Sequence, residues 1–156
     1  MTEKIIIDTD PGIDAAVPIL YALRSSEIEV LGLTTVYGNA PIAQTTHNAL
    51  ALVERAGVAC PVARGAEEPL EIECRPYPAM VHGEDGMGGV SPATVSGSVV
   101  EEHAVDFIIQ AARANPGDVT LVPIGPLTNI ALALQKEPDL PNLIKRVVLM
   151  GGAANA

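Results

Sequence analysis

Three aspartates lie within seven residues near the start of the chain, in the segment DTDPGID that runs from Asp8 to Asp14. Pro11 and Gly12 stand between them and favour a tight turn. Such a turn can aim the carboxylates at one point, and hard cations take several oxygen ligands. The spacing therefore indicates a cation site. The same residues also fit a turn followed by an ordinary helix start, where Asp and Pro are common.

Polar residues also follow three further apolar runs of the chain. These segments are Thr34–Asn39, Ile124–Asn129 and Met150–Gly152. In an open parallel sheet the carboxyl ends of the strands lie at one edge, and ligands bind there. If each apolar run is a strand, we expect these segments to meet the acidic turn at a single site.

The elements that must position these residues alternate between strands and helices. Strand-like apolar runs occur at Lys4–Asp8, Ile28–Val36, Pro61–Ala63, Val119–Pro123 and Arg146–Met150. Helical spacing occurs at Ile13–Arg24, Thr45–Ala56, about Glu101–Ala114, and after Pro126. This alternation predicts the α/β class, with a Rossmann-like open, mostly parallel sheet flanked by helices and right-handed crossovers.

Two regions depart from this alternation. Residues 64–100 are rich in Gly and Pro and have no sustained period, which is typical of a functional loop or lid inside a domain. The chain ends at Ala156, shortly after the last predicted strand and without a helix to cover that strand. We therefore expect residues 1–156 to form part of a single domain that is truncated at its carboxyl end.

Composition excludes several classes of function. A formal net charge of −10 argues against nucleic-acid binding, which needs clustered Lys and Arg. No apolar run approaches the roughly 20 residues that span a bilayer, so we expect no membrane partner. The start of the chain lacks the basic leader of a signal peptide. The 2 cysteines of the chain do not have the spacing of metal ligands. These features favour a cytoplasmic protein.

The DTDPGID segment resembles the signature of the inosine–uridine-preferring nucleoside hydrolases, whose pattern reads DxDPGxDDA. Four further segments of the chain agree with that family in order. They are TTVYGNA (34–40), HGEDGMGG (82–89), VPIGPLTNIALAL (122–134) and VVLMGGA (147–153). The resemblance implies a salvage enzyme that uses Ca²⁺ to cut the N-glycosidic bond of a ribonucleoside. It also implies a homo-oligomer, either a dimer or a tetramer.

The resemblance also implies roles for individual residues. Asp10 matches the carboxylate that coordinates Ca²⁺ and, as general base, takes a proton from the attacking water. Ile124 matches the position whose backbone carbonyl is a calcium ligand. The other matches are substrate contacts (Asp14, Asn39, Met150 and, in the loop that closes over the base, His82) and supporting residues (Asp8 and Asn129). From the residues alone, Asn39 also fits an ordinary turn and His82 a solvated loop.

Two departures from the family pattern bear on activity. Ala15 stands where the pattern has a second consecutive Asp, which is a calcium ligand, and a methyl group cannot replace its oxygens. Family members are also roughly twice as long, and their later half supplies a further calcium-binding Asp and a His for leaving-group protonation. We therefore expect weakened calcium binding and little or no hydrolase activity from this chain alone.

Two alternative functions stay open at this point. Phosphotransferases of the haloacid dehalogenase class also place DxD after a first buried strand, which would make Asp8 a nucleophile beside Asp10 and Mg²⁺. Ala15 and the short length instead favour a non-catalytic relative that acts as a binding or dimerising module.

Overall fold

The computed structural model describes residues 2–74 and 76–152. Five parallel strands form one sheet in the order β3-β2-β1-β4-β5. The strands are β1 (Glu3–Thr9), β2 (Ile28–Thr35), β3 (Val62–Arg64), β4 (Val119–Pro123) and β5 (Arg146–Val147). The helices are α1 (Ile13–Arg24), α2 (Ile42–Ala56), α3 (Ala79–His82), α4 (Ala104–Ala114), α5 (Thr128–Lys136) and α6 (Leu140–Leu143). The predicted fold class is therefore confirmed.

Several element boundaries differ from those predicted. The last strand ends at Val147 and not at Met150, because only two of its residues pair regularly with β4. The next residues still follow β4, since the backbone N–H of Val148 donates to Leu121 O and that of Met150 to Pro123 O. The 64–100 segment contains the four-residue helix α3, which is too short to produce an apolar period.

The apolar run of β1 is explained by burial on both of its faces. Ile6 packs with Ile108 of α4 and Leu121 of β4 on one face. Ile5 and Ile7 pack on the other face with residues of α1 and α2. A central strand that is covered on both sides needs no polar alternation, which is why the run reads as continuously apolar.

The register of the sheet places the polar strand ends side by side. Asp8 of β1 lies opposite Thr34 of β2 and Pro123 of β4. Residues that follow these three strands therefore leave the sheet at the same edge. Within the described residues, every helix is too short or too polar to cross a bilayer.

Candidate active site

Asp10 follows β1 directly and lies at the carboxyl edge of the sheet. The residue is 6% exposed. Its Oδ2 accepts a hydrogen bond from the backbone N–H of Asn39 (2.8 Å), and the Asn39 side-chain amide donates to the Asp10 carbonyl (2.9 Å). Asn39 thus holds both the backbone and the carboxylate of Asp10, so the side chain has a fixed direction.

Two glycines make room for the Asp10 carboxylate. A Cβ at Gly38 would lie 2.0 Å from Asp10 Oδ2, and a Cβ at Gly125 would lie 2.6 Å from Asp10 Oδ1. Real Cβ atoms do not approach so closely, so any other residue at either position has to displace the carboxylate. Glycine is therefore required in the TTVYGNA and VPIGPLTN segments because the Asp10 carboxylate fills the space between Gly38 and Gly125.

Asp8 faces the interior, away from the turn. It is 1% exposed, and its Oδ1 accepts hydrogen bonds from Thr34 Oγ1 (2.5 Å) and Asn129 Nδ2 (2.8 Å). Asn129 also donates to Thr35 O and accepts from Ala66 N–H, both at 2.9 Å. This buried network joins β1, β2, α5 and the residues after β3. Its other oxygen, Oδ2, is buried without a hydrogen-bond partner among the described residues, and Asp8 does not line the cavity beside Asp10, so the geometry disfavours Asp8 as the nucleophile of the phosphotransferase alternative.

Asp14 and His82 meet on the outer side of the turn. His82 Nδ1 lies 3.8 Å from Asp14 Oδ1, and the Asp14 side chain is 64% exposed. A Cβ at Gly12 would lie 2.7 Å from His82 Nδ1 and 2.6 Å from Asn39 Nδ2. Gly12 therefore leaves the space that the His82 ring and the Asn39 side chain share beside the turn.

A cavity of about 250 Å³ opens beside Asp10. Most of the residues that were predicted as site residues line it, together with Ala15. The lining residues are Asp10, Asp14, Ala15, Asn39, Ile124, Gly125, Pro126 and Met150. The predicted residues that do not line it are Asp8 and Asn129, which lie in the buried network, and His82, which lies beyond Asp14. The strand ends therefore form one concave site with Ala15 in its wall.

Of the three carboxylates of the turn, Asp10 and Asp14 line the cavity and Asp8 does not. Among the described residues, no three side chains of His, Cys, Asp or Glu are grouped so that they could hold a metal ion. The reason is the register of β1: Asp8 is still paired within the sheet and faces inward, whereas Asp10 comes after the last paired residue, Thr9. Asp14 is already on the first turn of α1.

Burial changes the acidity of the two inner carboxyl groups. Burial raises the pKa of Asp8 to about 6, against the opposing effect of the hydrogen bonds from Thr34 and Asn129. Burial raises the pKa of Asp10 to about 7, and the negative charges of Asp14 and Asp8 act in the same direction. No Lys or Arg of the described residues forms an ion pair with either carboxylate. The cavity is therefore a site with uncompensated negative charge, which favours a cation or a proton.

Comparison with known proteins identifies the family. Residues 5–156 match the family model of the "Inosine-uridine preferring nucleoside hydrolase". The chain belongs to this nucleoside hydrolase family. An inosine-uridine preferring nucleoside hydrolase from Crithidia fasciculata is 46% identical over 155 residues, covering 97% of this chain and 49% of that protein. Uridine nucleosidase 1 of Arabidopsis thaliana is 44% identical over 152 residues, covering 97% of this chain and 45% of that protein.

Solved structures of nucleoside hydrolases share the fold described here. A plant nucleoside hydrolase superposes with a TM-score of 0.93 at 40% identity, covering 98% of this chain and 49% of that one. A purine-preferring ribonucleoside hydrolase from Gardnerella vaginalis gives a TM-score of 0.92 at 38% identity, covering 97% of this chain and 49% of that one. The chain thus spans about half the length of the relatives it matches.

Sequence reasoning missed two features of this site region. One is Asn48 of α2, which is fully buried and contacts the turn. The other is Asp85, whose carboxylate accepts hydrogen bonds from three backbone N–H groups of its own loop. The glycine spacing of HGEDGMGG was the available signal, because Gly83, Gly86 and Gly88 all have positive φ and form a tightly folded loop.

Proposed function

We propose that this chain is the amino-terminal part of a hydrolase that converts a ribonucleoside and water into ribose and a free base. The observation that carries the proposal is the Asp10 carboxylate, held by Asn39 in the wall of the cavity at the carboxyl edge of the sheet. Sugar binding beside a buried carboxylate fits hydrolysis of a glycosidic bond, where water must lose a proton as it attacks the anomeric carbon. The ribonucleoside itself is the proposed partner.

Asp10 is the proposed general base. Its carboxylate is buried in the cavity wall, and Asn39 holds it in one direction, which is the arrangement that a base needs to take a proton from a water in the cavity. In the reaction, the oxygen of water bonds to the anomeric carbon, and a water proton passes to Asp10. The N-glycosidic bond breaks, and its electron pair leaves with the base. Asp14, Asn39 and Met150 are the proposed ribose contacts, and His82 is the proposed contact to the base.

A calcium ion is the proposed cofactor, and the donors of this chain fit it in kind but not in number. Asp10 and the backbone carbonyl of Ile124 would hold the ion, because both residues line the cavity and both groups are hard oxygen donors. When bound, calcium would lower the pKa of the attacking water. Calcium takes 6 to 8 oxygens. The methyl group of Ala15 occupies a wall position of the cavity where the family pattern has a carboxylate.

Weak calcium binding and little or no hydrolysis are therefore proposed for the 156-residue chain by itself. The resemblance implies that the family's remaining calcium ligand and its leaving-group acid belong to the later half, and this chain covers only 45–49% of the two relatives. For the whole protein we propose a dimer or tetramer in the cytoplasm.

A second candidate function is favoured by the same Ala15. Without the second carboxylate, the fold can persist as a module that binds a sugar or a second subunit without catalysis. The two candidates differ in whether the cavity binds calcium at all, because a non-catalytic module has no need of the ion.

Calorimetric titration of Ca²⁺ into the chain, with ribose present, separates the candidates. We expect weak binding that is lost in Asp10→Asn and kept in Asp118→Asn, which makes the same charge change at a 56%-exposed side chain away from the cavity. No binding by the unaltered chain would favour the module. Ribose release from inosine or uridine is expected to stay at background, and clear release would support hydrolysis and contradict the proposed impairment.

A further inference from the structure

Asn48 connects two separate parts of the site from its position in α2. Its side chain is fully buried. The Nδ2 group donates to the carbonyl oxygen of Pro11 (3.2 Å) and to that of Asp85 (2.9 Å). The Oδ1 atom accepts from Gln44 Nε2 (2.9 Å) and Ser91 Oγ (2.8 Å). One amide group thus bonds the turn that carries Asp10 and both ends of a distant loop.

That loop, residues 83–91, is organised by the Asp85 carboxylate. Oδ1 accepts from the backbone N–H of Met87 (2.9 Å) and Gly89 (2.8 Å), and Oδ2 accepts from that of Ser91 (3.0 Å). These bonds hold the pKa of Asp85 below its usual value. The Asp85 carboxylate therefore ties together three backbone positions of the 83–91 loop.

His82 is bonded directly to this loop. The backbone N–H of Gly88 donates to the His82 carbonyl (2.7 Å). A Cβ at Gly86 would lie 3.3 Å from Asn48 Nδ2, so the left-handed glycine lets the loop backbone reach the amide. The hydrogen bonds of Asn48 therefore fix the place of the 83–91 loop. The loop in turn fixes the place of His82 beside the turn.

We propose that Asn48 is a positioning residue that holds the 83–91 loop, and His82 with it, against the turn that carries Asp10. This inference rests on the proposed function, in which Asp10 and His82 act on the same nucleoside. Only an amide satisfies the geometry, because two carbonyl oxygens converge on its N–H groups while two donors converge on its oxygen. A carboxylate at this position would face the Pro11 and Asp85 carbonyls with oxygen, leaving buried acceptors unpaired.

The test compares hydrogen exchange in Asn48→Ala and Asn48→Asp with that in the unaltered 156-residue chain. We expect the amides of Met87, Gly89 and Ser91 to exchange at least about tenfold faster in both variants, while those of α4 change little, since local opening leaves the core closed. Gln44→Ala is the matched control. It removes one donor to Asn48 and a longer contact of 3.5 Å to Ser91 Oγ but keeps both bonds from Nδ2, so loop exchange should change by less than about threefold.

A second readout follows His82 itself. Labelling of histidines with diethylpyrocarbonate, quantified by mass spectrometry, should rise at His82 in both Asn48 variants and stay constant at the exposed His103. Both measurements use the chain without calcium or nucleoside, so failure of the proposed hydrolysis does not affect them. Equal acceleration of loop and α4 amides would assign Asn48 a global structural role and overturn the proposal. Unchanged His82 labelling would overturn it as well.

Discussion

Replacing Ala15 with Asp is the most informative change to the cavity. Ala15 is 7% exposed and lies in the cavity wall with Asp10 and Asp14. A carboxylate here adds a negative charge close to the Asp10 carboxylate. In the absence of a cation the charges repel each other, so the variant should unfold at a lower temperature than the unaltered chain. With calcium present the sign reverses, because a divalent ion attracts the new carboxylate more strongly than Asp10 repels it.

The magnitude follows from the electrostatics of a half-enclosed site. Two unit charges 4 Å apart interact by about 1 kcal/mol in water and about 4 kcal/mol at an effective dielectric constant of 20. After subtraction of the repulsion from Asp10 and Asp14, we expect a net gain of roughly 1–3 kcal/mol in calcium affinity. This gain corresponds to a dissociation constant about 5- to 150-fold lower.

Calorimetry and thermal unfolding together measure both effects of Ala15→Asp. The matched control is Val17→Asp, which adds the same charge on the same helix at a side chain that is 72% exposed. We expect the control to change calcium affinity by less than about threefold, because exposed charges are screened. Equal affinities for the two variants would refute the assignment of the cavity as the calcium site.

Three further changes test other parts of the structure. Glu3→Gln should flatten the acid side of the curve of unfolding free energy against pH. The hydrogen bond and charge of Lys145 help to lower the pKa of Glu3 from 4.5 to about 2. The ionised Glu3 carboxylate therefore stabilises the fold above about pH 4.5, and this contribution is lost as the pH falls towards 2. Gly125→Ala should weaken calcium binding at least about tenfold and cost roughly 1–3 kcal/mol of stability, because its Cβ would displace Asp10. Asn129→Ala should cost roughly 2–4 kcal/mol in urea unfolding, since it leaves several buried groups unpaired.

Each of these changes has a control or a contradicting result. Parallel acid curves for Glu3→Gln and the unaltered chain would contradict the assignment of the acid slope to that carboxylate. Gly97→Ala serves as control for Gly125→Ala, because its Cβ would make only ordinary contact with Leu50 at 3.4 Å. A loss below about 1 kcal/mol for Asn129→Ala would mean that the buried network contributes little to stability.

The parallel sheet was predictable because its strands read as buried apolar runs between helical patterns. The location of Asp10 was also predictable, since a carboxylate directly after a buried strand lies at the carboxyl edge of the sheet. The direction of Asp8 was not, because it depends on the register that pairs it with Thr34 and Pro123. Register is set by tertiary packing and cannot be read from one strand.

The contacts of Asn48 could not be predicted for a different reason. Both of its carbonyl partners, Pro11 and Asp85, lie 37 residues away along the chain, one in each direction. A polar residue in the middle of a helix pattern reads as surface, and only the fold reveals that it is enclosed. The glycines of the 83–91 loop carried a visible signal, but spacing alone does not identify the groups that they let approach.

A crystal structure of the chain soaked with calcium and ribose tests the central claim most directly. We predict an ion within about 2.3–2.6 Å of an Asp10 carboxylate oxygen and of the Ile124 carbonyl oxygen, with ribose hydroxyls completing part of its shell. An ion bound elsewhere, with Asp10 still bonded only to Asn39 and ribose absent from the cavity, would contradict the account.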